Sequence, residues 1–225
     1  MEINQQNNSW KLLDIIYAIS ILIISGLISY GIINGLNKAF HIDIPNILLS
    51  LIASSISTAF GAMFILERHP LICSLKQIKR NKIKKIIILG FIGGLIIATI
   101  QFPYRTVFSN NDTPSKYIIN SERENIYVPI LFFFMVIIVP IFEELFFRGG
   151  IYRIIKNRYN ILSGYLGTAI LFAIMHTSSL YNTILHFLSS IILTYVYEKT
   201  NFIGTSILSH IIWNMIWLIA IYLKN

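Results

Sequence analysis

Seven apolar stretches separated by short polar segments dominate this chain. They run Leu12–Ile33, Asn46–Leu66, Ile86–Tyr104, Ile126–Phe147, Ile161–Leu180, Asn182–Tyr197 and Phe202–Leu223. A helix needs roughly 20 apolar residues to cross the hydrocarbon of a bilayer, and each stretch meets or nearly meets that length. Backbone polar groups in lipid must be satisfied within the segment itself, so the pattern predicts helices. The expected fold is an all-α, polytopic membrane helix bundle of about seven transmembrane helices, with a polar cavity between helices 4, 5 and 7. There is no room for a separate soluble domain, so residues 1–225 read as one integral membrane domain. Gly93-Gly94 in the third stretch predicts a close helix contact. Phe132-Phe133-Phe134 reads as a lipid-facing or core-packing run.

Composition agrees with the pattern. Of 225 residues, 55% are hydrophobic and only 12% charged, about half the charged fraction of an ordinary soluble domain. The net charge of +8 therefore belongs to loops facing anionic lipid and not to a nucleic-acid surface. If the seven stretches alternate, thirteen Lys and Arg fall on the side of the N-terminus and five on the other. The positive-inside rule then predicts a multi-pass cell-membrane protein with a cytoplasmic N-terminus and an extracellular C-terminus. The Arg68–Lys85 stretch, with Lys76, Lys79, Arg80, Lys82, Lys84 and Lys85, reads as a topology signal in preference to an amphipathic surface segment. The start of the chain does not read as a cleaved signal. The single cysteine, Cys73, excludes an internal disulfide and a cysteine-based metal cluster. Asn111-Asp-Thr113 would be a glycosylation acceptor in a eukaryotic setting, on an external loop.

Three of the stretches carry polar groups that a lipid-facing helix avoids. The fourth holds Glu143, Glu144 and Arg148; the fifth ends near His176; the seventh holds His210 and Asn214. Ionisable residues in such segments face protein and mark function. Glu144 and Arg148 are i,i+4 neighbours in the favourable order, so they can neutralise one another. Glu143 lies ~100° around the helix and obtains no partner from its own helix. Glu144 and Arg148 thus read as structural, and Glu143 as available for chemistry. His210 and Asn214 share one helix face. A carboxylate, two imidazoles and an amide can hydrolyse an amide bond. Glu143 would act as general base, His176 would hold the water or share its proton, and His210 and Asn214 would donate to the oxyanion. The same residues could instead bind a divalent metal such as zinc through Glu143, His176 and His210. The usual His-Glu-x-x-His pattern is absent, and spacing does not separate the two mechanisms. His186, in the sixth stretch, reads as packing.

Depth constrains this assembly. His210, Asn214 and His176 lie ~14, ~20 and ~22 Å from the cytoplasmic edge at 1.5 Å per residue. Hydropathy alone ends the fourth helix near Glu143, too shallow to meet them. If that helix continues to about Asn157, Glu143 sits ~21 Å deep and the four groups become level. Arg148, Arg153 and Lys156 must then face protein or a water-filled cavity open to the cytoplasm, and Gly149-Gly150 is the point where the helix would bend or break. This arrangement requires Glu143 and His176 to lie within roughly 10 Å of one another.

These residues also carry a resemblance. Glu143-Glu144-Leu-Phe-Phe-Arg148, Phe172-Ala-Ile-Met-His176 and His210-Ile-Ile-Trp-Asn214 match, in order and spacing, the E-E-x-x-x-R, F-x-x-x-H and H-x-x-x-N motifs of the CPBP intramembrane proteases. That family includes type II CAAX prenyl proteases and bacteriocin-immunity-type membrane proteins. The resemblance covers residues 126–218 and implies a protease core there. It implies that Glu143 and His176 activate water, that His210 and Asn214 form the oxyanion site, and that Glu144, Arg148 and Phe172 are structural or substrate-positioning. It implies a peptide or lipidated protein substrate, in settings such as bacteriocin self-immunity or peptide-signal processing. Glutamate chemistry without a cofactor is favoured over a zinc mechanism. The competing functions are a non-catalytic membrane immunity or scaffold protein and a proton-relaying transporter. No inverted repeat supports the latter.

Overall fold

The computed structural model describes residues 11–42, 44–71, 80–108, 126–177 and 179–223. Among these residues the chain is an all-helical bundle. The helices are α1 (Leu12–Ala39), α2 (Asn46–Arg68), α3 (Arg80–Phe108), α4 (Tyr127–Arg158), α5 (Ile161–Met175), α6 (Leu180–Thr200) and α7 (Ile203–Leu223). Six are long and apolar enough to cross a membrane, and α5 is shorter. The polytopic bundle expected from the pattern is what the chain forms. Cys73, Asn111 and the basic stretch through Lys76 and Lys79 lie outside the described residues.

Two helices differ from their apolar stretches. The fifth apolar stretch runs to Leu180, with its end expected near His176, and α5 ends at Met175. His176 leaves helical geometry (φ −111°, ψ 18°), and the Ser179 hydroxyl caps α6 by accepting from the Asn182 N–H at 3.1 Å. The fourth helix continues past its apolar limit to Arg158, as the depth argument required. It does not break at Gly149-Gly150. Those glycines lie in a π-helical turn, Phe147–Tyr152, and a second such turn covers Phe134–Ile138. The cations beyond Phe147 are accommodated by protein. Arg148 is fully buried and paired; Arg153 donates to the carbonyls of His69 and Pro70, each at 2.9 Å; Lys156 reaches Glu198 at 2.5 Å.

α4 is the central element. It packs against α2, α5 and α7, while α1 covers α2, and α3 packs on both α6 and α7. Phe146, Phe147, Ile151 and Ile154 of α4 form the main core with Ile65 of α2 and Phe172 of α5. The expected close contact at Gly93-Gly94 lies against α7. A Cβ on Gly94 would stand 2.7 Å from the Ser209 carbonyl oxygen, so only glycine allows that backbone approach. The Ser209 hydroxyl adds a bond to the Gly90 carbonyl at 2.8 Å. Of the Phe132–Phe134 run, Phe133 is exposed, and Phe132 packs edge-on against Tyr222.

One end of the bundle is held by charge. Asp14, at the start of α1, is buried and meets Arg68 at 3.1 Å and His69 at 3.0 Å, both at the end of α2. Arg153, near the end of α4, binds the same corner through backbone carbonyls. Lys85, in the first turns of α3, donates to the Lys199 carbonyl at the end of α6 at 2.9 Å. Replacing Asp14 with Asn keeps the shape but removes the charge facing Arg68 and His69. The expected loss is about 1–3 kcal/mol of stability, read as a lower melting temperature in detergent; an unchanged melting temperature would show that this corner contributes nothing.

Candidate active site

The site is built from α4 outward. Pro140 has no N–H, and the π-turn before it shifts the hydrogen-bond ladder by one residue. The Val139 N–H bonds to the Phe134 carbonyl, which leaves the Met135 carbonyl facing an imino nitrogen that cannot donate. The Asn214 side chain fills that gap, its Nδ2 donating to Met135 O at 2.8 Å. One turn earlier on α7, His210 meets the two glutamates of α4. Thus α7 is attached to α4 at two points separated by one helical turn.

Glu143 and Glu144 diverge as their positions on the helix dictate. Glu144 is fully buried. Its Oε1 accepts from Arg148 Nη1 at 2.8 Å and from His210 Nδ1 at 3.0 Å. Arg148 is also fully buried; its Nη2 donates to the Ser190 hydroxyl at 2.7 Å and the Ser190 carbonyl at 3.1 Å. The guanidinium carbon lies 4.9 Å from the centre of the Phe172 ring, a cation–π contact. Glu143 turns instead toward two imidazoles. Its Oε1 is 3.4 Å from His176 Nε2 and its Oε2 is 3.8 Å from His210 Nε2. The separation from His176 is well inside the 10 Å that the depth argument allowed. The side chain of Glu143 is 14% exposed and that of His176 27%, against 3% for His210, so access to the site is from the Glu143–His176 side.

Hydrogen bonding sets the imidazole tautomers. His176 Nδ1 faces the Phe172 carbonyl at 2.8 Å and must carry a proton to bond it, so Nε2 presents its lone pair toward Glu143 when the ring is neutral. His210 Nδ1 donates to Glu144, so its Nε2 can donate toward Glu143 only when the ring is cationic. Phe172 joins the set: its ring stacks on His176 at 4.3 Å and lies edge-on to His210 at 6.2 Å.

The structure thus brings Glu143, Glu144, Arg148, Phe172, His176 and His210 into one cluster, with Asn214 one turn away. Two residues of α6 join it that sequence reasoning did not assign. Ser190 binds Arg148, and His186 lies parallel to His176 with ring centres 4.8 Å apart. The polar site therefore lies among α4, α5, α6 and α7, not α4, α5 and α7 alone. The signal was the i, i+4, i+8 series Asn182, His186, Ser190, which puts three polar residues on one face of an apolar helix. Among the described residues, no group of three or more His, Cys, Asp or Glu side chains is arranged to hold a metal ion.

Comparison with known proteins places this cluster. The family described as Rce1-like, type II CAAX prenyl endopeptidases, matches over residues 125–216, the stretch that contains every residue of the cluster. Over these residues, about two-fifths of the chain, the sequence is similar to that family. Two curated proteins of Lactococcus lactis subsp. lactis are similar to the chain. UPF0177 protein YaiH is 32% identical over 135 residues, covering 59% of this chain and 56% of that protein. UPF0177 protein YvdC is 26% identical over 140 residues, covering 61% and 53%. The chain therefore matches little more than half the length of these relatives. No solved structure matches. The Rce1-like segment begins just before α4 and ends within α7, so it includes α4, α5, α6 and most of α7.

The two glutamates should separate by experiment. Arg148→Ala leaves Glu144 charged and buried without its cation, and should destabilise the fold by about 3–5 kcal/mol. Glu143→Gln, at a partly exposed position, should leave the melting temperature within a few degrees of wild type. Equal destabilisation by both variants would refute this division of roles.

Proposed function

We propose that this protein is an intramembrane endopeptidase that hydrolyses a peptide bond in a membrane-associated peptide or lipidated protein tail. The observation that carries this reading is Glu143. Its partly exposed carboxylate faces His176 Nε2 at 3.4 Å and His210 Nε2 at 3.8 Å, while its neighbour Glu144 pairs with Arg148. The Rce1-like segment, as a protease family, supports the same reaction class.

Charge balance supports the mechanism. With Glu143 and Glu144 ionised and Arg148 cationic, the cluster carries one uncompensated negative charge. Buried charge is strongly unfavourable unless balanced. A single proton shared among Glu143, His176 and His210 makes the cluster neutral, and with that proton on His210 the Glu143–His176 pair can accept one from water. Water held between Glu143 and His176 loses a proton to this pair as its oxygen attacks the scissile carbonyl carbon. Cationic His210, through Nε2–H, and the second amide hydrogen of Asn214 donate to the oxyanion that forms. The proton held by Glu143 and His176 then passes to the amide nitrogen as the C–N bond breaks, giving a carboxylic acid and an amine. Glu144, Arg148 and Phe172 hold His210 and His176 in place. No step passes through a metal or other cofactor.

The setting follows from charge and composition. The end of the bundle with Lys85, Arg153 and Lys156 faces the cytoplasm and the C-terminus lies outside, in the cell membrane. The bilayer is one partner and the peptide substrate the other, in bacteriocin self-immunity or peptide-signal processing.

The test is cleavage of a fluorescence-quenched, membrane-inserted peptide by the full chain in liposomes. Wild type should cleave, and Glu143→Gln should reduce the rate by about 10²–10⁴-fold, the usual contribution of a general base, with chelators having no effect. Equal cleavage by both proteins removes Glu143 from the reaction. Absence of cleavage across a peptide library, with retained binding, supports a non-catalytic immunity or scaffold role instead.

A further inference from the structure

The strongest unassigned feature is the second imidazole. His186 is buried on α6, and the mechanism above does not use it. It lies parallel to the ring of His176, with ring centres 4.8 Å apart and an interplanar angle of 9°. The two histidines are built alike. Each uses Nδ1 to bond the carbonyl four residues earlier, His176 to Phe172 and His186 to Asn182, both at 2.8 Å. Asn182 closes the link, since its side-chain Nδ2 donates to the His176 carbonyl at 3.0 Å.

His176 needs this support. It closes α5 as the first residue past the helix, immediately before the turn, and its side chain is 27% exposed. Its backbone is outside regular helical geometry (φ −111°, ψ 18°), so the helical restriction on χ1 does not fully apply to it. Phe172 restrains one part of the ring, and its own contact with His186, at 6.1 Å between centres, joins the three rings in one packed group. His186 in turn rests on Trp213, which also stacks under His210 at 4.8 Å. A continuous set of rings thus runs from the histidine beside Glu143 Oε1 to the histidine beside Oε2.

We propose that His186 is a positioning residue: it holds the His176 ring with Nε2 directed at Glu143 and keeps that imidazole in its Nδ1–H tautomer. This rests on the endopeptidase reading for its purpose, but not for its test. The parallel ring removes the rotational freedom that the end of α5 would otherwise allow, and the Asn182 bond fixes the backbone from which the ring hangs. Preorganising the reacting group is worth large factors in rate.

The experiment uses the full chain in nanodiscs, labelled with ¹⁵N-histidine, with His176→Gln identifying the His176 signals. Wild type should show His176 as one Nδ1–H tautomer with a single titration. His186→Ala should show an averaged tautomer and a shifted midpoint, and His186→Phe, which restores a flat ring, should recover the wild-type tautomer. With the quenched peptide, His186→Ala should lower kcat by about 10- to 100-fold while KM stays within about twofold, and His186→Phe should regain most of the loss. Melting temperatures identify any variant that fails to fold, and His186→Gln then takes the place of Ala. A His176 spectrum and titration unchanged in a folded His186→Ala or His186→Gln protein would overturn the proposal. The spectra decide this even if Glu143→Gln cleaves like wild type, an outcome that refutes the endopeptidase reading alone.

Discussion

Glu144 and Arg148 are both fully buried, and neither charge is tolerable there without the other. Around this ion pair the other site residues take their places. Glu144 orients His210, Arg148 engages Ser190 of α6, and the guanidinium lies against Phe172, whose ring supports His176. Through one pair of charges α4 thus acquires specific contacts with α5, α6 and α7. Most membrane helices associate through packing of small residues. Here α3 and α7 do so at Gly94, whereas α4 uses hydrogen bonds whose geometry admits few alternatives.

The same pair explains why α4 can be so long. An apolar stretch that meets an arginine normally ends, and the helix leaves the membrane. Arg148 is instead absorbed into the protein, and Arg153 and Lys156 follow with partners of their own at the end of the bundle. Glu143 consequently lies near the middle of a helix of 32 residues, not at the membrane edge. Its carboxylate owes its reactive setting to the satisfaction of its neighbour.

Much of this was legible in the sequence because helical geometry is periodic. The i,i+4 spacing of Glu144 and Arg148 predicted their pairing, and the one-residue offset of Glu143 predicted its isolation from that pair. Levelling Glu143 with His176 correctly required α4 to continue past Arg148. Where local conformation departs from the ideal helix, the sequence was less informative. The end of α5 at Met175 depends on a turn closed by Ser179, within a run whose hydropathy suggests continuation. The π-turns show no distinct hydrophobic period, and Gly149-Gly150 suggested a break where the helix widens instead. His186 was assigned to packing because its partner lies on another helix, across a turn whose position hydropathy could not supply. Asn214 lies one turn from His210, as their spacing predicted, but its bond to Met135 depends on a carbonyl that the combination of π-turn and Pro140 leaves open.

That bond has a mechanical consequence. Antiparallel apolar helices can slide past one another with little penalty, since one ridge of Leu and Ile resembles the next. α7 cannot slide on α4. Its two attachments, His210 to Glu144 and Asn214 to Met135, are one helical turn apart on α7. Moving α7 by one turn, about 5.4 Å, would break both together. The missing hydrogen of a single proline thus works as an index mark: it sets the axial position at which two otherwise slippery helices stop, and so the distance between a carboxylate on one and an imidazole on the other.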